Sequence, residues 1–254
     1  MYLRAVHAES SIAALFQFIK ENPLGVITTA ISSPSFPFLQ SSHVPWVLDI
    51  ISDDPEAPVK GRLRGHMAKQ NPQSKAMVEA ASNSSTKTLE HDVMILFTGA
   101  HHHYVTPKFY TETKPATGKV VPTWNYAAAQ VYGKATIYYD SSSSETSEYL
   151  SKQIDELSEL CETSIMDHTG QQGKPGPWSV SDAPDRYIDI MKKNIIGIEV
   201  SIESIGGKFK MSQEMGQGDR TGIIEGFAGI ESDTGKHLSE LVKQRGELKD
   251  AKKN

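Results

Sequence analysis

Residues 121–139 read VPTWNYAAAQVYGKATIYY. β-Branched and aromatic residues fill the stretch after Pro122, which predicts one long strand or a bent pair of strands. Gly133 is its expected bulge or kink, since a glycine inside a strand commonly marks a break in the pairing. The pattern recurs in shorter form on either side. LGVITTAIS (24–32), HVPWVLDI (43–50), RLRGHMA (62–68), VMILFTG (93–99) and IGIEVSIESIGGKFKM (196–211) all read as strands. SSPSFPFLQSS is a turn or hairpin loop between the first two of these. SSIAALFQFIKE (10–21) places apolar residues at 12, 15, 16 and 19 behind Ser10 or Ser11 as N-cap, which predicts a helix. NPQSKAMVEAAS opens another, with Asn71 as cap and Pro72 at the first helical position. YLSKQIDELSELCETS and DRYIDIMKKNI are also helical. The first follows the polar run DSSSSETSE (140–148), and a Gly- and Pro-rich loop (169–184) separates the two.

Short strands at close spacing with helices inserted predict a mainly β chain with helices, of α+β class. The arrangement is an antiparallel barrel with helices outside it, not a doubly wound parallel sheet. One domain is expected over 1–235, followed by a charged tail, 236–254, that is partly disordered. The 254 residues are 38% hydrophobic and 22% charged, ordinary for a chain that buries its own core. A net charge of −5 argues against direct binding to nucleic acid or to an anionic membrane surface. The lone cysteine, Cys161, excludes an internal disulfide. There is no apolar run of ~18 residues of the kind a membrane span needs, and MYLRAVHAES has no hydrophobic signal region. The expected location is the cytosol or the nucleus.

Polar side chains gather inside or at the exits of the apolar strands. In GHMAKQNP (65–72) a strand runs through His66 and Lys69 into a helix start at Asn71. A helix N-terminus beside a lysine suits an anion, although Asn71 can be only a cap and Lys69 only a solvated cation. VPTWNY offers Trp124 to stack on a flat ring and Asn125 to bond its polar edge, or both belong to the core. GKFKMSQE (207–214) alternates Lys208 and Lys210 with Phe209 and Met211, and Ser212 and Gln213 follow. That pattern fits an anion or ring edge, and equally a half-solvated strand. In FTGAHHHYVTPKFY (97–110), strand alternation turns His101 and His103 to one side and His102 to the other. Two imidazoles fall short of the three or four ligands of a zinc site, and no HExxH, paired-cysteine, GxSxG or phosphate-loop spacing accompanies them.

In order along the chain, MYLRAVH, ENPLGVITT, SHVPWVLD, GHMAKQNP, ILFTGAHHHYVTPKFY, KVVPTWNYAAAQVYG, PWSVSDAP and IIGIEVSIESIGGKFKMSQE resemble the PaiB-type FMN-binding proteins, a family also described as negative transcriptional regulators. The resemblance implies an FMN-binding split β-barrel similar to the pyridoxamine-phosphate oxidases, a homodimer, and flavin sites at the subunit interface. It implies cofactor contacts from His43, His66, Lys69, Asn71, Thr123, Trp124, Asn125, Lys208, Ser212 and Gln213. It also points to His101 and His103 as the candidates for contact with flavin or substrate. Two positions depart from the family pattern. Ala100 stands where proline is typical, and Glu214 follows Ser212-Gln213 where the family has Asn and then a basic residue. A carboxylate beside a flavin phosphate is unfavourable. The leading functional expectation is an FMN-dependent oxidoreductase acting on a small organic molecule. The alternatives are a ligand-binding regulator, or a flavin-free barrel that uses its pocket for haem or for non-redox chemistry.

Overall fold

The computed structural model describes residues 1–251. The fold is α+β and built on antiparallel strand pairing, the split-barrel type expected of the sequence. It comprises two compact units, each assembled from separated segments: 1–18, 97–130 and 206–254 in the first, 19–96 and 131–205 in the second.

In the second unit, β2 (Leu24–Ala30) and β3 (Leu39–Pro45) form a hairpin in register from Leu24↔Pro45 to Ala30↔Leu39. β4 (Val47–Ile50) pairs antiparallel with β5 (Gly61–Ala68), and β5 pairs with β9 (Ile195–Lys210) from Gly61↔Ile202 to Ala68↔Ile195. With β6 (Val93–Thr98) and β8 (Thr123–Tyr138), the sheet order is β3-β2-β6-β8-β9-β5-β4. The single strand expected over 43–50 is divided at Trp46. Its backbone N–H turns away to the Pro23 carbonyl at 2.9 Å, and the preceding Pro45 has no N–H to give a ladder. The Trp46 ring is 1% exposed and packs over Gly65, where a Cβ would lie 2.8 Å from Val44. Ile27, Leu63, Ile95, Ile137 and Ile196 complete this core at 0% exposure. Each such side chain contributes about 1.5–3 kcal/mol of burial. The helices α2 (Pro72–Ser82), α4 (Ser144–Leu160) and α5 (Asp185–Lys193) belong to this unit.

The expected kink at Gly133 is absent, because β8 runs unbroken through it. The glycine instead permits a close approach: a Cβ there would stand 1.7 Å from the Ser201 carbonyl oxygen on β9. α4 starts earlier than anticipated, inside the polar serine run.

In the first unit, the short β1 (Ala8–Glu9) pairs with the end of β9, and β7 (His103–Val105) pairs with the start of β8. α1 (Ile12–Glu21) begins where expected, with the Ser11 hydroxyl accepting the Ala14 N–H at 3.2 Å. A short α3 (Thr113–Thr117) follows the loop after β7. The disordered tail expected after 235 is replaced by α7 (Asp233–Ala251), packed on α6 (Gln217–Ala228); residues 252–254 lie outside the described residues. The physical reason is a buried face made of Gly235, Leu238, Val242 and Gly246, in which glycines stand where apolar side chains would have signalled a helix.

Candidate functional site

In the second unit, the strand-to-helix turn of GHMAKQNP is built as the sequence suggested. Asn71 is the N-cap of α2, its Oδ1 accepting the Gln73 N–H at 2.8 Å and its amide donating to Ser42 Oγ at 3.0 Å. Gln73 is 1% exposed, and its amide nitrogen reaches the Ile27 and Gln40 carbonyls and Thr29 Oγ1 at 3.0–3.2 Å. That latch seats the helix on β2 and β3. Lys69 is half-buried just before the cap. Ser74 Oγ, in the first turn of α2, is buried without a partner. His66 lies 2.5 Å from Gln153 Oε1 on α4 and must donate its Nδ1 proton there, while His43 is exposed on β3. Arg64 is gripped by Asp49 at 2.6 and 2.8 Å and by Glu156. The hydrogen bonding it donates to Asp49 is the main cause that raises its already high pKa.

In the first unit, Thr123, Trp124, Asn125, Ser212 and Gln213 gather around the end of β9. Ser212 sits in the left-handed region at φ 57° and donates its hydroxyl to Asn125 Oδ1 at 2.9 Å. Asn125 is fully buried, and its Nδ2 has no partner among the described residues. Both ends of the Gln213 amide are engaged within the same turn, with the Met211 N–H and the Phe209 carbonyl. Its role is therefore to shape the turn. Lys208 sits 5.1 Å from the Tyr126 ring centroid. Lys210 donates to Thr123 Oγ1 and to the Trp124 carbonyl, and burial lowers its pKa. Trp124 is 47% exposed, with Tyr104 edge-on to it at 6.3 Å.

Glu214 does not carry a free charge into this region. It accepts from His7 Nε2 at 2.9 Å. Burial acts to raise its pKa, but the His7 hydrogen bond and the attraction of His7 and Lys210 hold it below the ordinary glutamate value. Arg220 is likewise taken up, by Asp250 on α7.

Of the histidine triplet only His103 lies in a strand, β7, and His101 and His102 precede it, yet the three side chains still turn to different partners. His101 stacks on His237 of α7, with centroids 4.3 Å apart, and its Nδ1 is 3.1 Å from Thr234 Oγ1. His103 meets the Phe227 ring of α6 edge-on and donates Nδ1–H to the Tyr104 carbonyl. His102 points the other way and accepts the Trp124 indole N–H at 3.3 Å. Among the described residues no group of three or more His, Cys, Asp or Glu could hold a metal. No described helix is long and apolar enough to cross a membrane.

A flavin ring asks for amide donors and an apolar face, and its phosphate asks for a cation and main-chain amides. Residues of the first unit fit the ring's demand, with the Asn125 amide unpartnered among the described residues and the Trp124 indole exposed. Taken by itself, the second unit has a cation and main-chain amides of the kind that suit a phosphate where Lys69 precedes the start of α2. Sequence reasoning passed over Thr146 and Lys192, which line a cavity at the start of α4. The serine run that leads into them reads only as a polar loop.

A protein from Aspergillus fumigatus, described as uncharacterized, is 57% identical over 266 residues, covering 99% of this chain and 100% of its own length. "Protease synthase and sporulation protein PAI 2" of Bacillus subtilis is 26% identical over 246 residues, covering 96% and 98%. Among solved structures, the FAD and heme binding protein from Mycobacterium smegmatis aligns over 80% of this chain and 73% of its own, at 10% identity and a TM-score of 0.43. The family model described as "Putative FMN-binding domain" matches residues 1–204, and the chain belongs to that family.

Proposed function

We propose that this protein is an FMN-dependent oxidoreductase that acts on a small organic molecule as a homodimer. The observation that carries the reading is the family match over residues 1–204, supported by the buried Asn125 amide, which has no partner among the described residues. Bound FMN would supply the redox chemistry. Lys69, with Asn71 holding the amino end of α2 in place, would neutralise the phosphate. Thr123, Trp124 and Asn125 would line the ring, with Ser212 orienting Asn125. His43, His66, Lys208 and Gln213 are proposed as further cofactor contacts. His101 and His103 are proposed to contact flavin or substrate. Alanine variants of the two that leave flavin affinity and dimerisation unchanged would remove them from the site.

The test is an absorption spectrum of the purified protein after incubation with FMN and desalting. Retained flavin bands are the expected result. A colourless protein overturns the reading, and a Soret band replaces it with haem. Lys69→Gln is expected to weaken FMN ~10-fold or more, the loss of one charged hydrogen bond, while leaving riboflavin binding unchanged.

A further inference from the structure

We propose that the open cavity at the amino end of α4 is a binding site for a phosphate-type anion. The site does not depend on the flavin reading. Two observations meet there. The first is an uncapped helix end. Ser143 holds the N-cap position with extended backbone (φ −80°, ψ 131°), yet its side chain makes no capping hydrogen bond, so the first-turn amides of α4 spend nothing on it. A helix end in this condition carries a positive field and free N–H donors. The second is Thr146, in that first turn. It is 2% exposed, and its hydroxyl is buried with no partner among the described residues. A buried hydroxyl without a partner is rare in native proteins and calls for one.

Thr146 lines a cavity of about 240 Å³, with Ser141, Ser147, Asp189, Lys192 and Lys193 also on its wall. Lys192 is pre-positioned. Its ammonium donates to Ser151 Oγ at 3.0 Å and Ser147 Oγ at 3.4 Å, and its side chain is 17% exposed. Asp189 lies 3.6 Å away and offsets part of this charge. Lys193 adds a second cation to the wall; of the carboxylates at the same helix start, Glu145 is paired with Lys87 and Asp140 is bonded to Ser142. Hydroxyls, an ammonium and main-chain amides converging on one space suit a tetrahedral oxyanion, which offers more acceptor positions than a carboxylate. The same chemistry is presented by free phosphate and by the phosphate of a nucleotide or other phosphoester.

The experiment titrates the full chain with inorganic phosphate against chloride at matched ionic strength, following ³¹P line width and the thermal midpoint. Saturable binding is expected in the wild type. It should be at least tenfold weaker in Lys192→Gln and in Thr146→Val, and severalfold weaker in Lys193→Gln, whose exposed side chain can change without disturbing the fold. The absence of saturable binding, or binding unchanged across the three variants, overturns the proposal. Competition by FMN but not by riboflavin would assign the site to phosphoesters, and competition by neither to free phosphate. Flavin retention measured in the same variants keeps this result separate from the fate of the flavin site.

Discussion

α2 and α4 both begin in the second unit after short polar lead-ins, and each keeps a buried first-turn hydroxyl with no partner among the described residues, Ser74 and Thr146, but their caps differ. At α2, Asn71 spends its side chain on the helix, Pro72 removes one amide that would need a partner, and Gln73 ties the turn to three acceptors on β2 and β3. At α4 the residue in the cap position, Ser143, makes no such bond. A capped terminus spends one first-turn amide on architecture and an uncapped one keeps it, while both retain further amides for an anion. The difference lies in side-chain hydrogen bonding, since both cap residues have the same extended backbone.

Substitutions can break the contrast. Gln73→Ala strands three acceptors in a buried setting and should destabilise the protein by about 3 kcal/mol, read from chemical denaturation. Asn71→Ala should cost about 1 kcal/mol, the ordinary value of a functioning cap. Thr146→Val should fall within ~1 kcal/mol of neutral, because it removes an unsatisfied group and leaves none behind. Ser143→Ala should cost less than the ~1 kcal/mol of Asn71→Ala, because no cap is lost. A Ser143→Ala cost equal to that of Asn71→Ala would erase the contrast.

pH sharpens it further. Asp140 accepts from the Ser142 hydroxyl and amide, and those bonds hold its carboxyl below the usual aspartate value. A depressed folded pKa means the contribution is present above the unfolded value of ~3.9 and is lost as pH falls through the folded one. Amide exchange at Ser142 should therefore speed up only below that pH. The Asn71 cap has no titrating group and should stay protected through the same range.

The strand pattern was legible because alternation and β-branched runs report burial directly, and TWNYAAAQVYGKATIY needed only its single break removed. The error at Gly133 was one of interpretation: a glycine admitting a neighbouring backbone looks, in one dimension, like a glycine that bends its own. The same ambiguity hid α6 and α7. A helical glycine costs about 1 kcal/mol relative to alanine, so the glycines of GQGDRTGIIEG (216–226) weaken its helical signal. Gly222 and Gly226 in fact let α6 lie against Phe109, whose backbone oxygen and ring would each sit under 2.5 Å from an added Cβ. At the candidate site, residue types were readable and commitments were not. Nothing in SQEM shows that Gln213 is turned inward on its own turn or that Glu214 has His7 as a partner 207 positions away. Thr146 went unnoticed because an unsatisfied hydroxyl is a property of packing.

The alternation of segments between the two units has a consequence for biosynthesis. Every residue of the second unit has been translated by position 205, and the first unit still awaits everything from 206 onward. Emerging in that order, the second unit can close its sheet while the first holds only its opening two segments. Those include the apolar Phe97 and Val105, both at 0% exposure in the finished protein. A ribosome stalled between these points would present an ordered half and a greasy, incomplete one. That interval is where a chaperone holding exposed apolar segments would matter most for this chain.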